Sequence, residues 1–214
     1  MDEQLIPVDD ARLRSFFEEN LAAVTEGRGP AFPYVVDLLA AKAHDGRSSV
    51  HGLEAVAIVI EQLWNVEYGS VNTFEEARDR RTAIRWAADQ FRSLGDDLLF
   101  YGGFLPESLD NTHRRRGVGL GHYLGQGPRC YEGATLIIAQ HPWLRATRDP
   151  APLAAVAFQF GEWREALYAL RARFDEQQDL KKDYAVLRNL YAATKSPTMK
   201  RQLAAVRLLP FERH

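Results

Sequence analysis

The residues of this chain with chemistry to offer crowd into one window, between Phe100 and Tyr131. It contains Glu107, Ser108, Asp110, His113, Arg114, Arg115, Arg116, His122, Tyr123 and Cys130, and seven of the 15 glycines fall between Gly102 and Gly127. Glu107, Ser108, Arg114, Arg115, Arg116, His122 and Tyr123 are the candidate ligand-binding residues. Three successive guanidiniums ahead of a helix start, with free backbone amides beside them, suit a phosphate or a carboxylate. Glu107 is a candidate acid or base, or, directly after Pro106, a helix cap. Glycine backbone lets a ligand approach closely. The same density equally suits two helices packed with glycines at their crossing and joined by the polar loop 110–116.

Other chemistries find less support. Gly117-x-Gly-x-Gly lacks the preceding strand and the following acidic residue of a dinucleotide site, and no phosphate-loop lysine accompanies it. His113 and His122 are nine residues apart, and neither Glu-x-x-His nor His-x-x-x-His occurs, so no metal site and no cofactor is expected. Ser108 sits in Pro-Glu-Ser-Leu rather than in a nucleophile elbow. Cys130, eight residues after His122, reads as a small buried apolar residue before it reads as a nucleophile.

The stretch from Phe100 to Leu109 (FYGGFLPESL), followed by Gly119 to Tyr123 (GLGHY) and Gly127 to Tyr131 (GPRCY), resembles an all-helical family of proteobacterial proteins with no assigned activity. The resemblance covers about 30 residues of 214. It implies a bacterial, cytoplasmic origin and a helical fold, and it carries no catalytic residue with it.

The elements that must position this window are helical from end to end. Leu13, Phe16, Phe17, Leu21 and Val24 form one face of a first helix, capped by Asp9 or Asp10 and stopped by Gly27 and Gly29–Pro30. A second helix runs from about Pro33, with Val35, Leu38 and Leu39, to Asp45–Gly46. Leu53 to Trp64 reads as a buried helix, a strand being the weaker alternative. Thr73 and Glu76 form a capping box ahead of a long helix that buries Ile84, Ala88, Phe91, Leu98 and Leu99. The charged run from Glu75 to Arg81 reads as its solvated face. From Gly102 the pattern breaks, and helical signal resumes at about Cys130 and lasts to Gln140. After the loop at Arg148 to Pro150, one helix carries Leu153, Val156, Phe160, Trp163, Leu167, Leu170 and Phe174 on a stripe. Two more helices follow, around Tyr184 to Tyr191 and Met199 to Leu209. The expectation is an all-α fold, a single domain over 1–214 built as an irregular bundle of about seven or eight helices.

Composition agrees with that fold and limits the function. The chain is 46% hydrophobic, 11% aromatic and 26% charged, an ordinary globular balance. Its 27 basic and 29 acidic residues give a net charge of −2, which makes nucleic acid an unlikely main partner. One cysteine excludes an intrachain disulfide and fits a reducing compartment. Met1 to Asp10 has no signal-peptide pattern, and no window has the length of a membrane span, so a soluble cytoplasmic protein is expected.

Two readings of function follow. The first is an interaction or adaptor module, with a protein partner or self-association. The second is an enzyme or a binder of a small anion, using the glycine-rich segment 102–133. The aromatic stripes at Trp163 to Phe174 and Tyr184 to Tyr191 are themselves better explained as core, because periodic apolar residues face inward. The interaction reading is preferred.

Overall fold

The computed structural model describes residues 10–25, 29–45, 77–104 and 120–176. It is all-α, with seven helices and no strand among the described residues. In chain order these are α1 (Asp10–Ala22), α2 (Ala31–Asp45), α3 (Ala77–Phe104), α4 (Leu120–Gln140), α5 (Pro142–Arg145), α6 (Ala151–Phe158) and α7 (Phe160–Glu176). The expected helix at 53–64, the capping box at Thr73 and the helices after 180 lie outside the described residues. The chain divides into two compact units, one comprising 1–28, 32–48 and 165–214, the other 29–31 and 49–164.

In the first unit the periodicity of α1 does what it predicts. Leu13, Phe17 and Leu21 are buried, while Arg12, Arg14, Glu18 and Glu19 stay exposed. On α2 Ala31, Phe32, Val35, Val36, Leu38, Leu39, Ala40 and Ala43 are buried. Arg14 Nε meets Asp37 Oδ1 at 2.9 Å, but both side chains are more than half exposed, so this pair contributes little to stability.

The second unit is organised around α4, which packs against α3, α5 and α6. The front of α3 is amphipathic, with Ile84, Ala87, Ala88 and Phe91 buried and Arg81, Arg85, Trp86 and Arg92 exposed. From Asp97 to Phe104 every residue is buried, so the end of α3 is wrapped on all sides. Phe100 stacks on Phe104 at 5.4 Å between centroids, and meets Tyr101 edge-on at the same separation.

Two expectations about element boundaries are corrected. The glycine-rich region does not break the helical pattern where expected, because α3 continues through Gly102 and Gly103, and α4 begins ten residues before Cys130 and runs through Gly121, Gly125, Gly127 and Pro128. Glycine costs about 1 kcal/mol in a helix interior and proline removes an N–H donor, so local propensity opposes both stretches. Tertiary packing overrides it, by the contacts described below. The second correction concerns the long stripe after Pro152. Its buried residues are as expected, from Leu153 to Leu170, but Gln159 leaves helical geometry (φ −104°, ψ 23°) and separates α6 from α7. The hydrophobic period continues in phase across the break, so it carries no sign of the interruption. Backbone hydrogen bonding also continues, with Gln159 N–H donating to Ala155 O at 3.0 Å and Trp163 N–H to Gln159 O at 2.9 Å.

Candidate functional site

The residues chosen from sequence divide in two. Glu107, Ser108, Arg114, Arg115 and Arg116 lie outside the described residues. His122 and Tyr123 stand in the first turn of α4, and their side chains are outside the described ones. What the structure does describe of the glycine-rich window is packing. A Cβ on Gly102 would stand 2.6 Å from Leu124 Cδ2, and one on Gly133 would meet the Phe91 ring at 3.1 Å. At Gly127 the Phe160 ring fills the space, with Cε2 2.6 Å from where a Cβ would be. Gly95, which the sequence reading passed over, plays the same part beneath the Tyr131 ring, at 3.1 Å. These glycines seat side chains at helix contacts, whereas Gly125 has open space around it.

Cys130 is fully buried, and burial pushes its thiol up from 9.0 to about 12. At neutral pH it is a protonated, enclosed thiol, the opposite of an activated nucleophile. Among the described residues no three His, Cys, Asp or Glu side chains gather as metal ligands would.

A different site emerges on the exposed front of α3. Arg81 and Arg85 are one helical turn apart on the same stripe, and both are exposed. Pro142 starts α5, and the residue after it, Trp143, comes to lie against them. The Arg81 guanidinium carbon is 5.8 Å from the Trp143 ring centroid and that of Arg85 is 5.7 Å. His141 approaches the same indole at 6.0 Å between centroids, tilted by 42°. Each cation–π contact at such a surface site contributes about 0.5–1 kcal/mol. Among the described residues neither Arg81 nor Arg85 forms an ion pair.

The next turn of the stripe behaves differently. Arg148, in the segment between α5 and α6, grips Asp89 through two parallel bonds, Nη1 to Oδ1 at 2.6 Å and Nη2 to Oδ2 at 2.9 Å. Beside the stripe Trp86 is 47% exposed. The segment after α4 therefore runs along α3, pinned by Trp143 at the level of Arg81 and Arg85 and by Arg148 at the level of Asp89.

The sequence held part of this signal in the spacing of Arg81 and Arg85 and in the tryptophan next to them. It gave no sign that Trp143, 58 residues beyond Arg85, would be the partner, so the run looked like solvated charge. Compared with known proteins, the chain matches no family model, no curated protein and no solved structure. No helix among the described residues is long and apolar enough to cross a membrane.

Proposed function

We propose that the chain is a protein-interaction or adaptor module of the bacterial cytoplasm, and that its contact surface is the front of α3 with Trp143. One observation carries this reading: Trp86 is left 47% exposed beside two exposed arginines that a second tryptophan, Trp143, holds in place. Tryptophan and arginine dominate the energetics of protein interfaces, and an indole flanked by ordered guanidiniums has the composition of a binding hot spot. Three other large apolar side chains are exposed, Leu136, Phe158 and Tyr168. Single exposed apolar residues are common on protein surfaces, and none of these three adjoins Arg81 or Arg85 in the chain as Trp86 adjoins Arg85.

The alternative, an enzyme or anion binder in segment 102–133, drew its first support from the density of glycine there. Where those glycines are described, that support passes mostly to helix packing.

The test is site-specific photo-cross-linking in cells, with a photoreactive phenylalanine in place of Trp86 and, as control, in place of exposed Glu132 on α4. A discrete adduct from position 86, absent from position 132, supports the reading. Equal adducts from both positions, or none from either, refute it.

A further inference from the structure

Resting on that reading, we propose that Arg81 and Arg85 receive an acidic segment of the partner, holding two carboxylates from alternate residues of an extended Asp/Glu-containing peptide. Like charges one turn apart on a helix disfavour it by a few tenths of a kcal/mol. The ordinary remedy is an intervening acid, and the chain supplies one at the next turn, where Asp89 takes Arg148 in a bidentate grip. At Arg81 and Arg85 no carboxylate is supplied among the described residues; instead both guanidiniums lie against the Trp143 ring, 5.8 and 5.7 Å from its centroid.

That arrangement prepares a site rather than filling one. A guanidinium held against an indole has already given up part of its side-chain freedom, so less is lost when a carboxylate arrives. Arg81 and Arg85 are four residues apart, a rise of about 6 Å along the helix axis. Alternate side chains of an extended peptide are about 6.6 Å apart, close enough for one carboxylate to reach each fork. Trp86, on the adjoining stripe, offers an apolar surface to the rest of the segment. At the next turn the polarity is reversed, Asp89 of α3 taking the Arg148 guanidinium.

Charge favours such a partner over nucleic acid. The chain as a whole carries −2, which argues against a broad basic surface of the kind phosphate binding draws on, while Arg81 and Arg85 have no carboxylate partner among the described residues.

The experiment is fluorescence anisotropy of the full chain with a short labelled peptide carrying Glu at alternate positions. Its Gln counterpart and an oligothymidylate of matched length are the comparison probes. The Glu peptide is expected to bind and the Gln peptide not to. Arg81→Glu with Arg85→Glu is expected to weaken binding about tenfold or more. Arg92→Glu with Arg129→Glu changes net charge equally at exposed positions that make no contact with Trp143 among the described residues, and is expected to leave binding within about twofold at 0.15 M salt. Arg81→Lys with Arg85→Lys keeps the charge but loses the planar fork, and is expected to fall between. All four substituted positions are exposed, and a thermal melt of each variant checks that it folds. Failure of the Glu peptide to bind, equal binding by the two charge-reversed variants, or tighter binding of the oligothymidylate overturns the inference. A cross-link at position 86 that survives Arg81→Glu with Arg85→Glu also overturns it, and leaves the interaction reading standing.

Discussion

The Tyr131 hydroxyl donates a 2.8 Å hydrogen bond to Asp96 Oδ1, tying α4 to α3 while the Tyr131 ring lies over Gly95. Two constraints thus meet at one tyrosine: its ring needs a neighbour without a side chain, and its hydroxyl needs an acceptor one residue further on. Tyr131→Phe keeps the ring and removes the donor, and should destabilise the protein by about 1–2 kcal/mol in urea unfolding. Gly95→Ala keeps the donor and displaces the ring, and should cost a similar amount or more. Wild-type stability in both variants would show that this contact is incidental.

Gly125 and Gly127 should respond to alanine with opposite signs. Gly125 is exposed in α4 with nothing within 4 Å of its added Cβ, so Gly125→Ala should stabilise by about 0.5–1 kcal/mol. At Gly127 the added methyl meets the ring of buried Phe160, and that ring in turn lies 6.2 Å from the Tyr131 ring. Gly127→Ala should destabilise by about 1–3 kcal/mol, as overpacked cores do. Thermal melts of the two variants measure the difference, and shifts of the same sign would argue against the packing described for α4.

Alkaline stability should report the burial of Cys130. Its thiol is pushed up to about 12 in the folded chain from an ordinary 9.0. Below pH 9 the thiol is protonated in both states and contributes no pH dependence. Between 9 and about 12 only the unfolded thiol loses its proton, so stability falls with rising pH, by up to about 1.4 kcal/mol per pH unit. Cys130→Ala should remove that component from the pH profile. Iodoacetamide at pH 8 should alkylate Cys130 only after unfolding, and rapid alkylation of the native protein would contradict its enclosure.

The bidentate Asp89–Arg148 pair should be worth more than an ordinary surface ion pair. Its side chains are 35% and 28% exposed, and its geometry is fork to fork. A double-mutant cycle with Asp89→Asn and Arg148→Ala should give a coupling of about 1 kcal/mol, reduced in high salt. Coupling near zero would mean that the Arg148 fork does not hold the segment after α5 to α3.

How much of this was legible in the sequence depends on whether one element or two decided the matter. The buried faces of α1, α2 and the front of α3 follow from a single-helix period, and Leu13, Phe17, Leu21, Val35, Leu39, Ile84 and Phe91 are buried accordingly. Phe16 and Val24 sit at the edge of that face and are only half-buried. The path through Gly102 and through Gly121 to Pro128 could not be read in the same way. There local propensity argues for a break, while Leu124 fills the notch at Gly102 and Phe160 that at Gly127, each from another helix. The Gln159 interruption was hidden for a related reason, since an in-phase stripe looks the same with or without one irregular residue.

The surface on α3 was half legible. The positions of Arg81, Arg85 and Trp86 on a helix face follow from their spacing, but the role depends on Trp143 arriving from another element. A sequence period describes how a helix meets its core and says nothing of which distant side chain covers its outer face.

The central claim is tested most directly by the affinity for the partner captured at position 86, measured by calorimetry for wild type, Trp86→Ala and Phe158→Ala. Phe158 is the more exposed of the two aromatics, at 90%, and lies on α6 rather than on α3 beside Arg85. A loss of about tenfold or more in Trp86→Ala, with Phe158→Ala unchanged, is the predicted result. Loss in Phe158→Ala with Trp86→Ala unchanged would contradict the account and move the contact surface to the end of α6.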